Sequence, residues 1–193
     1  MKAEDVRRAG VVGAGTMGNG IAHVFALAGI EVDLVDVDPD ALEDARASIE
    51  RNLGRQVERE AVTSGEAEAA LERISTTTGV EAVAGAPVVV EAVPERVELK
   101  RDVFGRLSSV CGADAVLATN TSSISITEIA GNADGADRVV GMHFMNPVPV
   151  MELVEVIRGL ETSDEVTAFT VELCRRLGKT PVEVNDYPGF VSN

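Results

Sequence analysis

A glycine-rich stretch near the start of the chain restricts the fold more than any other part of the sequence. Residues 11–18 join one apolar run to a second, residues 21–29. Such an order is typical of a strand, a tight turn and a helix, and Gly13, Gly15 and Gly18 fit the G-x-G-x-x-G fingerprint. The first glycine allows the turn, the second lets the backbone approach a pyrophosphate, and the third lets helix and strand pack closely. Free N–H groups at the helix start would then face the anion.

An acid at position 36 completes this fingerprint. It ends the apolar run 32–36 and lies 18 residues after Gly18, close to the roughly 20 residues expected. A carboxylate there can accept hydrogen bonds from both ribose hydroxyls of an adenosine and would repel a 2′-phosphate, so we expect NAD rather than NADP. The alternative is a glycine turn in another α/β protein, with Asp36 capping a helix. The residues expected to contact the cofactor here are Gly13, Ala14, Gly15, Thr16, Met17, Gly18 and Asp36.

Predicted strands and helices alternate along the rest of the chain. This alternation favours an α/β fold with a Rossmann-type, doubly wound and mostly parallel sheet. Strands are predicted to end at 13 and to span 32–36, 74–78, 87–92, 115–119, 138–144, 153–157 and 180–184. Helices are predicted at 16–28, 41–61, 66–73, 80–84, 97–109, 126–130 and 163–177. Asp38 and Ser163 are predicted helix N-caps, and Gly178 follows the end of the last helix.

Charge and length exclude several classes of function. The 193 residues correspond to one domain, or to one domain and a stub. A net charge of −15 argues against binding of nucleic acid or of an anionic membrane surface. No apolar run approaches the roughly 18 residues needed to span a bilayer, and the first residues lack a signal peptide's apolar core, so a cytoplasmic protein is expected. Cys111 and Cys174 have no metal-site spacing, and we predict that both pack as small apolar side chains and that no metal binds.

Two histidines occur in the chain, and only one lies where chemistry is expected. His143 ends a predicted strand, and strand ends are where open α/β sheets bind ligands. Glu155 follows 12 residues later, and the proline-containing turn between them would bring its strand back beside His143. A carboxylate fixes the tautomer of an imidazole and raises its basicity, so the pair predicts a general base. The alternatives are a hydrogen-bonded core histidine and a solvent-facing strand acid. His23, among apolar residues of the first predicted helix, is interpreted as structural.

Four stretches of the sequence carry a resemblance to a known protein family. They are residues 13–18, Asn120-Thr121-Ser122-Ser123, residues 141–156 and Pro188-Gly189-Phe190-Val191. In sequence, order and approximate spacing they resemble the L-3-hydroxyacyl-CoA dehydrogenase family, which includes the 3-hydroxybutyryl-CoA dehydrogenases. The similarity covers essentially the whole chain. It implies oxidation of (S)-3-hydroxyacyl-CoA to 3-oxoacyl-CoA with hydride transfer to NAD, in fatty acid β-oxidation or short-chain acyl-CoA metabolism.

The resemblance also implies roles for individual residues. His143 would take the 3-hydroxyl proton, and Glu155 would orient it. Ser122 would hydrogen-bond the substrate oxygen and reach the cofactor, its alternative role being the N-cap of the helix at 126–130. Asn193 would help to bind the substrate oxygen, and Asn146 would contact the cofactor near the nicotinamide.

Two charged residues match cofactor contacts of the family beyond the predicted strand at 87–92. They are Glu95 and Lys100, whose alternatives are a surface acid and a surface lysine. Coenzyme A would lie near residues 52–59. Arg59 could meet a phosphate there, although Glu58 and Glu60 flank it unfavourably.

The family normally continues for about another hundred residues as a helical domain that forms the dimer interface and closes over the substrate. We therefore expect residues 1–187 to form the NAD-binding domain, residues 188–193 to begin a linker, and the C-terminal helical domain to be absent from this chain. A homodimer is implied where that domain is supplied. Two other functions stay open, namely a dehydrogenase of a free hydroxy acid on the same scaffold and a catalytically silent NAD-binding module that needs a partner chain.

Overall fold

An eight-stranded sheet lies at the centre of the described part of the chain, which in this computed structural model comprises residues 2–187 and Phe190. The strands are β1 (Arg8–Val12), β2 (Glu31–Val35), β3 (Ile74–Thr77), β4 (Val88–Glu91), β5 (Val116–Thr119), β6 (Val139–Phe144), β7 (Leu153–Arg158) and β8 (Thr180–Asn185). Their order across the sheet is β3-β2-β1-β4-β5-β6-β7-β8. Neighbouring strands are parallel except β6 and β7, which are antiparallel. The predicted Rossmann-type, mostly parallel sheet is confirmed.

Helices cover both faces of this sheet. They are α1 (Thr16–Leu27), α2 (Pro39–Glu58), α3 (Ser64–Glu72), α4 (Val97–Val110), α5 (Ile126–Ala130) and α6 (Asp164–Arg176), with 3-10 turns at Ala3–Asp5, Val80–Val83 and Ala136–Arg138. Strand β4 shows why its sequence is apolar throughout. Val88 and Val90 belong to the cluster of buried side chains that includes those of α1, α2 and α6, whereas Val89 belongs to the cluster formed with α4 and α5. A strand buried on both faces needs apolar side chains in both directions.

The predicted helix caps are confirmed. The Asp38 side chain accepts a hydrogen bond from the Asp40 N–H at 3.0 Å, with Pro39 at the first helical position. Ser163 accepts one from the Val166 N–H at 3.3 Å. Gly178 follows α6 with a φ of +73°, in the left-handed region that glycine adopts at little cost. Cys111 and Cys174 are both free and buried, as predicted.

Local details differ from the expectations at the end of α2 and at the start of α5. Helix α2 ends at Glu58 rather than near residue 61, because Glu60 adopts a φ of 58°, which cannot continue a right-handed helix. The helix predicted at 80–84 is present as a 3-10 helix over residues 80–83. The N-cap of α5 is Ser125, whose hydroxyl accepts from the Glu128 N–H, so the alternative role of Ser122 as that cap is excluded.

The order of the strands reverses between β1 and β4. From β1 the chain builds outward through β2 and β3, and from β4 it builds the other way. Open α/β sheets bind ligands in the crevice outside the carboxyl ends of the strands at such a switch point. The glycine loop follows β1, and residues 92–95 follow β4, so both border this crevice. Within the described ranges, no helix is both long enough and apolar enough to cross a membrane.

Candidate active site

Two of the three fingerprint glycines are required by the protein's own atoms. A Cβ built on Gly18 would lie 1.7 Å from the Gly13 carbonyl oxygen, so only glycine lets α1 start this close to β1. Gly13 itself has a φ of +103°, and a Cβ there would lie 2.6 Å from the Ala92 carbonyl oxygen. The backbone of the loop is therefore packed against the segment that follows β4.

The third fingerprint glycine, Gly15, has no such constraint. A Cβ built there would meet nothing within 4 Å. Gly15 also occupies the N-cap of α1 and offers no side-chain acceptor to the N–H groups of the first turn. The space in front of these N–H groups therefore suits an anionic group such as a pyrophosphate.

Asp36 lies beside this loop, immediately after β2. Its Oδ2 accepts a hydrogen bond from the Ala14 N–H at 2.7 Å, and its Oδ1 accepts one from the Asp38 N–H at 3.0 Å. Asp38, not Asp36, is the N-cap of α2, so the helix-cap alternative for Asp36 is wrong. The carboxylate is thus fixed next to the backbone that would hold a pyrophosphate.

A cavity of about 1300 Å³ opens along the switch point. Apolar side chains from the ends of β1 and β2 and from the start of α4 form much of its wall, including Val12, Val35 and Leu99. The cavity brings together residues from both sides of the crevice that the sequence had singled out. They are Gly13, Gly15, Thr16, Met17, Asp36, Glu95 and Ser122.

His143 and Glu155 form a buried pair. They are direct partners in the antiparallel register of β6 and β7, and the His143 Nδ1 lies 2.8 Å from the Glu155 Oε2. Glu155 is 1% exposed, so the alternative of a solvent-facing strand acid is wrong. His143 is buried as well, and the ring of Phe190 lies 6.0 Å from its own. The geometry suits a general base whose tautomer is fixed by a carboxylate.

Asn120 connects the end of β6 to the cavity. Its Oδ1 accepts a hydrogen bond from the backbone N–H of Phe144, the residue after His143, at 2.9 Å. Asn120 also lines the cavity together with Ser122. Sequence reasoning assigned Asn120 no role, although it begins the Asn-Thr-Ser-Ser stretch used for the family resemblance.

Glu95 holds the loop that carries Ser122. Its Oε1 accepts hydrogen bonds from the Thr121 hydroxyl at 2.6 Å and from the backbone N–H groups of Ser122 and Ser123 at 2.9 and 3.1 Å. Burial by itself would raise the pKa of Glu95, but the Thr121 hydroxyl, the Lys100 charge and the two amides outweigh it and lower the pKa. Glu95 therefore stays ionised and acts as a fixed acceptor.

Lys100 is not a surface lysine, so that alternative is wrong. It is 1% exposed, and its ammonium lies 2.7 Å from the Glu91 Oε1 and 3.4 Å from the Glu95 Oε2. Sequence reasoning missed Glu91 altogether. The available signal was a single acid in an otherwise apolar strand, a position where a carboxylate has to be paired.

Asn146 and Asn193 are not brought into the cavity by the described residues. Asn146 is exposed on the turn between β6 and β7. That turn is anchored by Lys179, whose buried ammonium donates to the carbonyl oxygens of Val148 and Met151 at 2.6 and 2.8 Å. Asn193 lies outside the described residues, as does the predicted 188–191 motif apart from Phe190.

His23 is buried in α1, in keeping with a structural role. Its Nε2 lies 3.0 Å from the Gln56 Oε1 of α2. Burial lowers the pKa of His23, the Gln56 hydrogen bond opposes this, and the nearby Lys179 charge adds to it. Among the described residues, no cluster of three or more His, Cys, Asp and Glu side chains could hold a metal ion.

Comparison with known proteins identifies the family to which this chain is similar. A family model described as "3-hydroxyacyl-CoA dehydrogenase, NAD binding domain" matches residues 8–187. The chain is 46% identical over 189 residues to a probable 3-hydroxybutyryl-CoA dehydrogenase of Bacillus subtilis, an alignment covering 98% of this chain and 66% of that protein.

Solved structures agree. A crystal structure of 3-hydroxybutyryl-CoA dehydrogenase from Escherichia coli K12 has a TM-score of 0.95 and 44% identity, over 97% of this chain and 40% of that one. For the (S)-3-hydroxybutyryl-CoA dehydrogenase of Ralstonia eutropha the values are 0.95 and 43%, over 98% and 67%.

The chain spans 64–66% of the length of the first curated relatives that it matches. The matched family is one of NAD-binding domains, so its cofactor is NAD. The chain belongs to the family of NAD-binding domains of the 3-hydroxyacyl-CoA dehydrogenases.

Proposed function

We propose that this protein oxidises (S)-3-hydroxyacyl-CoA to 3-oxoacyl-CoA, with His143 as the general base. The observation that carries the proposal is the buried pair of His143 and Glu155, whose nitrogen and oxygen are 2.8 Å apart. His143 lies near the carboxyl end of β6, and the glycine loop follows the carboxyl end of β1 in the same sheet. Bound NAD would supply the acceptor for the hydride that leaves C3 of the substrate. The names of the relatives, 3-hydroxybutyryl-CoA dehydrogenases, support the choice of substrate class.

The cofactor would be held by the glycine loop and Asp36. The open space at Gly15 fits a pyrophosphate, and the Asp36 carboxylate, fixed by the Ala14 N–H, would accept from the adenosine ribose hydroxyls. Met17 and Thr16 line the same cavity. Glu95 and Lys100 are proposed to serve the nicotinamide half of the cofactor by way of the Ser122 loop, which Glu95 holds. Asn146, exposed on the turn between β6 and β7, is proposed to contact the same half of the cofactor.

The proton would leave through His143. Its Nδ1 faces Glu155, so Nε2 is the nitrogen that takes the proton from the 3-hydroxyl. The carboxylate then stabilises the imidazolium. Ser122, on the loop held by Glu95, would donate to the substrate oxygen, and Asn193 is proposed to contribute a second contact.

The remaining expectations are proposals of the same kind. They are a domain comprising residues 1–187 followed by a linker at 188–193, a homodimer when the family's helical domain is supplied, a coenzyme A site near residues 52–59 and a cytoplasmic location. The first three rest on the family, and the location rests on the lack of a membrane-spanning apolar run in the sequence.

The test is to titrate the protein with NADH by fluorescence and then follow NADH absorbance after adding either acetoacetyl-CoA or free acetoacetate. Binding followed by turnover of the CoA ester alone supports the proposal. Equal kcat/KM for free acetoacetate would indicate a dehydrogenase of free hydroxy acids. Binding without turnover of either compound would indicate a cofactor-binding module that needs a partner chain, and would contradict the proposal for this chain.

A further inference from the structure

Glu91 is the most deeply buried carboxylate at the cofactor end of the sheet. It ends β4, is 0% exposed, and both its oxygens accept hydrogen bonds. Oε1 accepts from the Val93 N–H and from the Lys100 ammonium, both at 2.7 Å, and Oε2 accepts from the Thr119 hydroxyl at 2.7 Å. Burying a carboxylate costs folding free energy unless the charge is paired, and these three donors supply its partners.

The ammonium of Lys100 faces a second carboxylate. Besides Glu91 it donates to the Val93 carbonyl oxygen at 3.2 Å, and it lies 3.4 Å from the Glu95 Oε2. The ammonium thus donates hydrogen bonds to the Glu91 Oε1 and the Val93 carbonyl oxygen, while the Glu95 Oε2 lies within ion-pair distance. The two carboxylates share one positive charge unequally, since Glu91 has the shorter contact.

Glu95 links the Lys100 ammonium to the loop that carries Ser122. While its Oε2 stays at the longer distance from Lys100, its Oε1 accepts from the backbone N–H groups of Ser122 and Ser123. Glu95 is 39% exposed on its side chain, so it has room to move. If Glu91 lost its charge, the buried ammonium would need another anion, and Glu95 is the one within reach.

We propose that Glu91 is a positioning residue for Ser122. By neutralising Lys100 from inside the sheet, it leaves Glu95 Oε1 to hold the amides of residues 122 and 123. The kinetic consequence rests on the function proposed above, whereas the structural consequence does not.

The test is residue-resolved amide hydrogen exchange of Glu91→Gln. We expect exchange at Ser122 and Ser123 to become about tenfold faster or more, since their acceptor is drawn toward Lys100. The amides of Ile126 and Thr127 are an internal control in the same segment, because Asp186 holds them at 2.9 Å independently of Glu91. A uniform rise at all four amides would mean that Glu91 only stabilises the fold and would overturn the proposal, as would no rise at all.

A rescue variant separates positioning from stability. In Glu91→Gln/Lys100→Met the unpaired charge is gone, so Glu95 is no longer drawn away, and exchange at Ser122 and Ser123 should return to within about threefold of the wild type. Continued fast exchange in the double variant contradicts the proposal. If Glu91→Gln does not fold, Glu91→Asp, which retains the charge on a side chain one methylene shorter, should give a smaller rise confined to the same two amides, and the absence of any rise would contradict it.

The rate of turnover is measured separately from amide exchange. If the protein reduces acetoacetyl-CoA, Glu91→Gln should lower kcat about tenfold and should add little to Ser122→Ala in the double variant, because both changes act on the same contact. An additive double variant would contradict the proposal. If the wild type shows no turnover, the proposed function fails while the exchange result still decides the role of Glu91.

Discussion

Glu155 lies directly opposite His143 across β6 and β7, with its Oε2 2.8 Å from the imidazole Nδ1. The antiparallel register alone brings the two together, because the chain reverses after Phe144 and β7 runs back beside β6. The carboxylate is buried, so its charge is poorly screened and acts strongly on the ring. An imidazole placed in this way has its Nδ1 fixed by the protein, and its Nε2 is the nitrogen proposed to act as the base.

Replacement of Glu155 tests the orientation of this base. In Glu155→Gln the amide can still contact Nδ1, but the charge that stabilises the imidazolium is lost, so kcat should fall about a hundredfold. The Kd for NADH should stay within about twofold, because the substitution lies away from the glycine loop. Glu161→Gln, an exposed acid after β7, is the matched control. Equal activity of the two variants would mean that the carboxylate does not assist His143.

The glycine loop predicts opposite outcomes for two similar substitutions. Gly15→Ala meets no protein atom within 4 Å, so the unfolding free energy should be unchanged or higher by about 0.5 kcal/mol, while NADH binding weakens about tenfold or more. Gly18→Ala places a Cβ 1.7 Å from a carbonyl oxygen and should lower stability sharply. Urea unfolding and NADH titration measure both effects.

Gly65→Ala is the control for this pair, because its Cβ is equally unobstructed but lies in the first turn of α3. It should leave NADH affinity unchanged. Normal NADH binding by a folded Gly15→Ala variant would show that the pyrophosphate does not approach this glycine.

Asp36 predicts the choice between NADH and NADPH. Asp36→Asn retains an oxygen that can accept from the Ala14 N–H, so the loop should stay in place. The variant loses the charge that would repel a 2′-phosphate, and the ratio of the two Kd values should move toward NADPH by about tenfold. Asp44→Asn, an exposed aspartate on α2, serves as the control in parallel titrations. An unchanged ratio would place the ribose contact elsewhere.

The free energy of unfolding at acidic pH depends in part on Asp186. Burial by itself would raise the pKa of this carboxyl, but hydrogen bonds from Thr127, Ser125 and Ile126 outweigh it, and the pKa is lowered. A carboxyl with a lowered pKa in the folded state stabilises it above the unfolded-state pKa of about 3.9, and this stabilisation is lost as the pH falls through the folded-state value.

Asp186→Asn should therefore be less stable than the wild type at pH 6, and the difference should shrink as the pH falls below about 4. Urea unfolding across this range measures it, with Asp44→Asn as the exposed control. A difference that stays constant down to about pH 2 would mean that the Asp186 charge does not contribute to folding.

Much of the fold could be predicted because its strongest patterns are local. The glycine fingerprint, the buried strand at Val88–Glu91 and the caps at Asp38 and Ser163 each depend on a few adjacent residues. The pairing of His143 with Glu155 was also accessible, because a short turn between two strands determines their neighbourhood.

The sequence could not predict contacts that depend on tertiary structure. The ion pair of Glu91 with Lys100 joins a strand end to a helix, and no local pattern links residues nine positions apart. Asp186 reaches Ser125 across 61 residues of sequence. The end of α2 was misplaced because the apolar periodicity of the sequence continues past Glu60. The positive φ of Glu60 ends the helix, and no glycine or proline marks this position in the sequence.

The central claim is that His143 removes the substrate proton, and His143→Gln tests it most directly. NADH affinity and the rate of NADH oxidation by acetoacetyl-CoA would be measured in parallel for the wild type, for His143→Gln and for His23→Gln, which changes the other buried histidine. We predict that His143→Gln lowers kcat by about 10²–10⁴ with NADH affinity within about twofold, and that His23→Gln keeps its turnover. Full activity in His143→Gln would contradict the account.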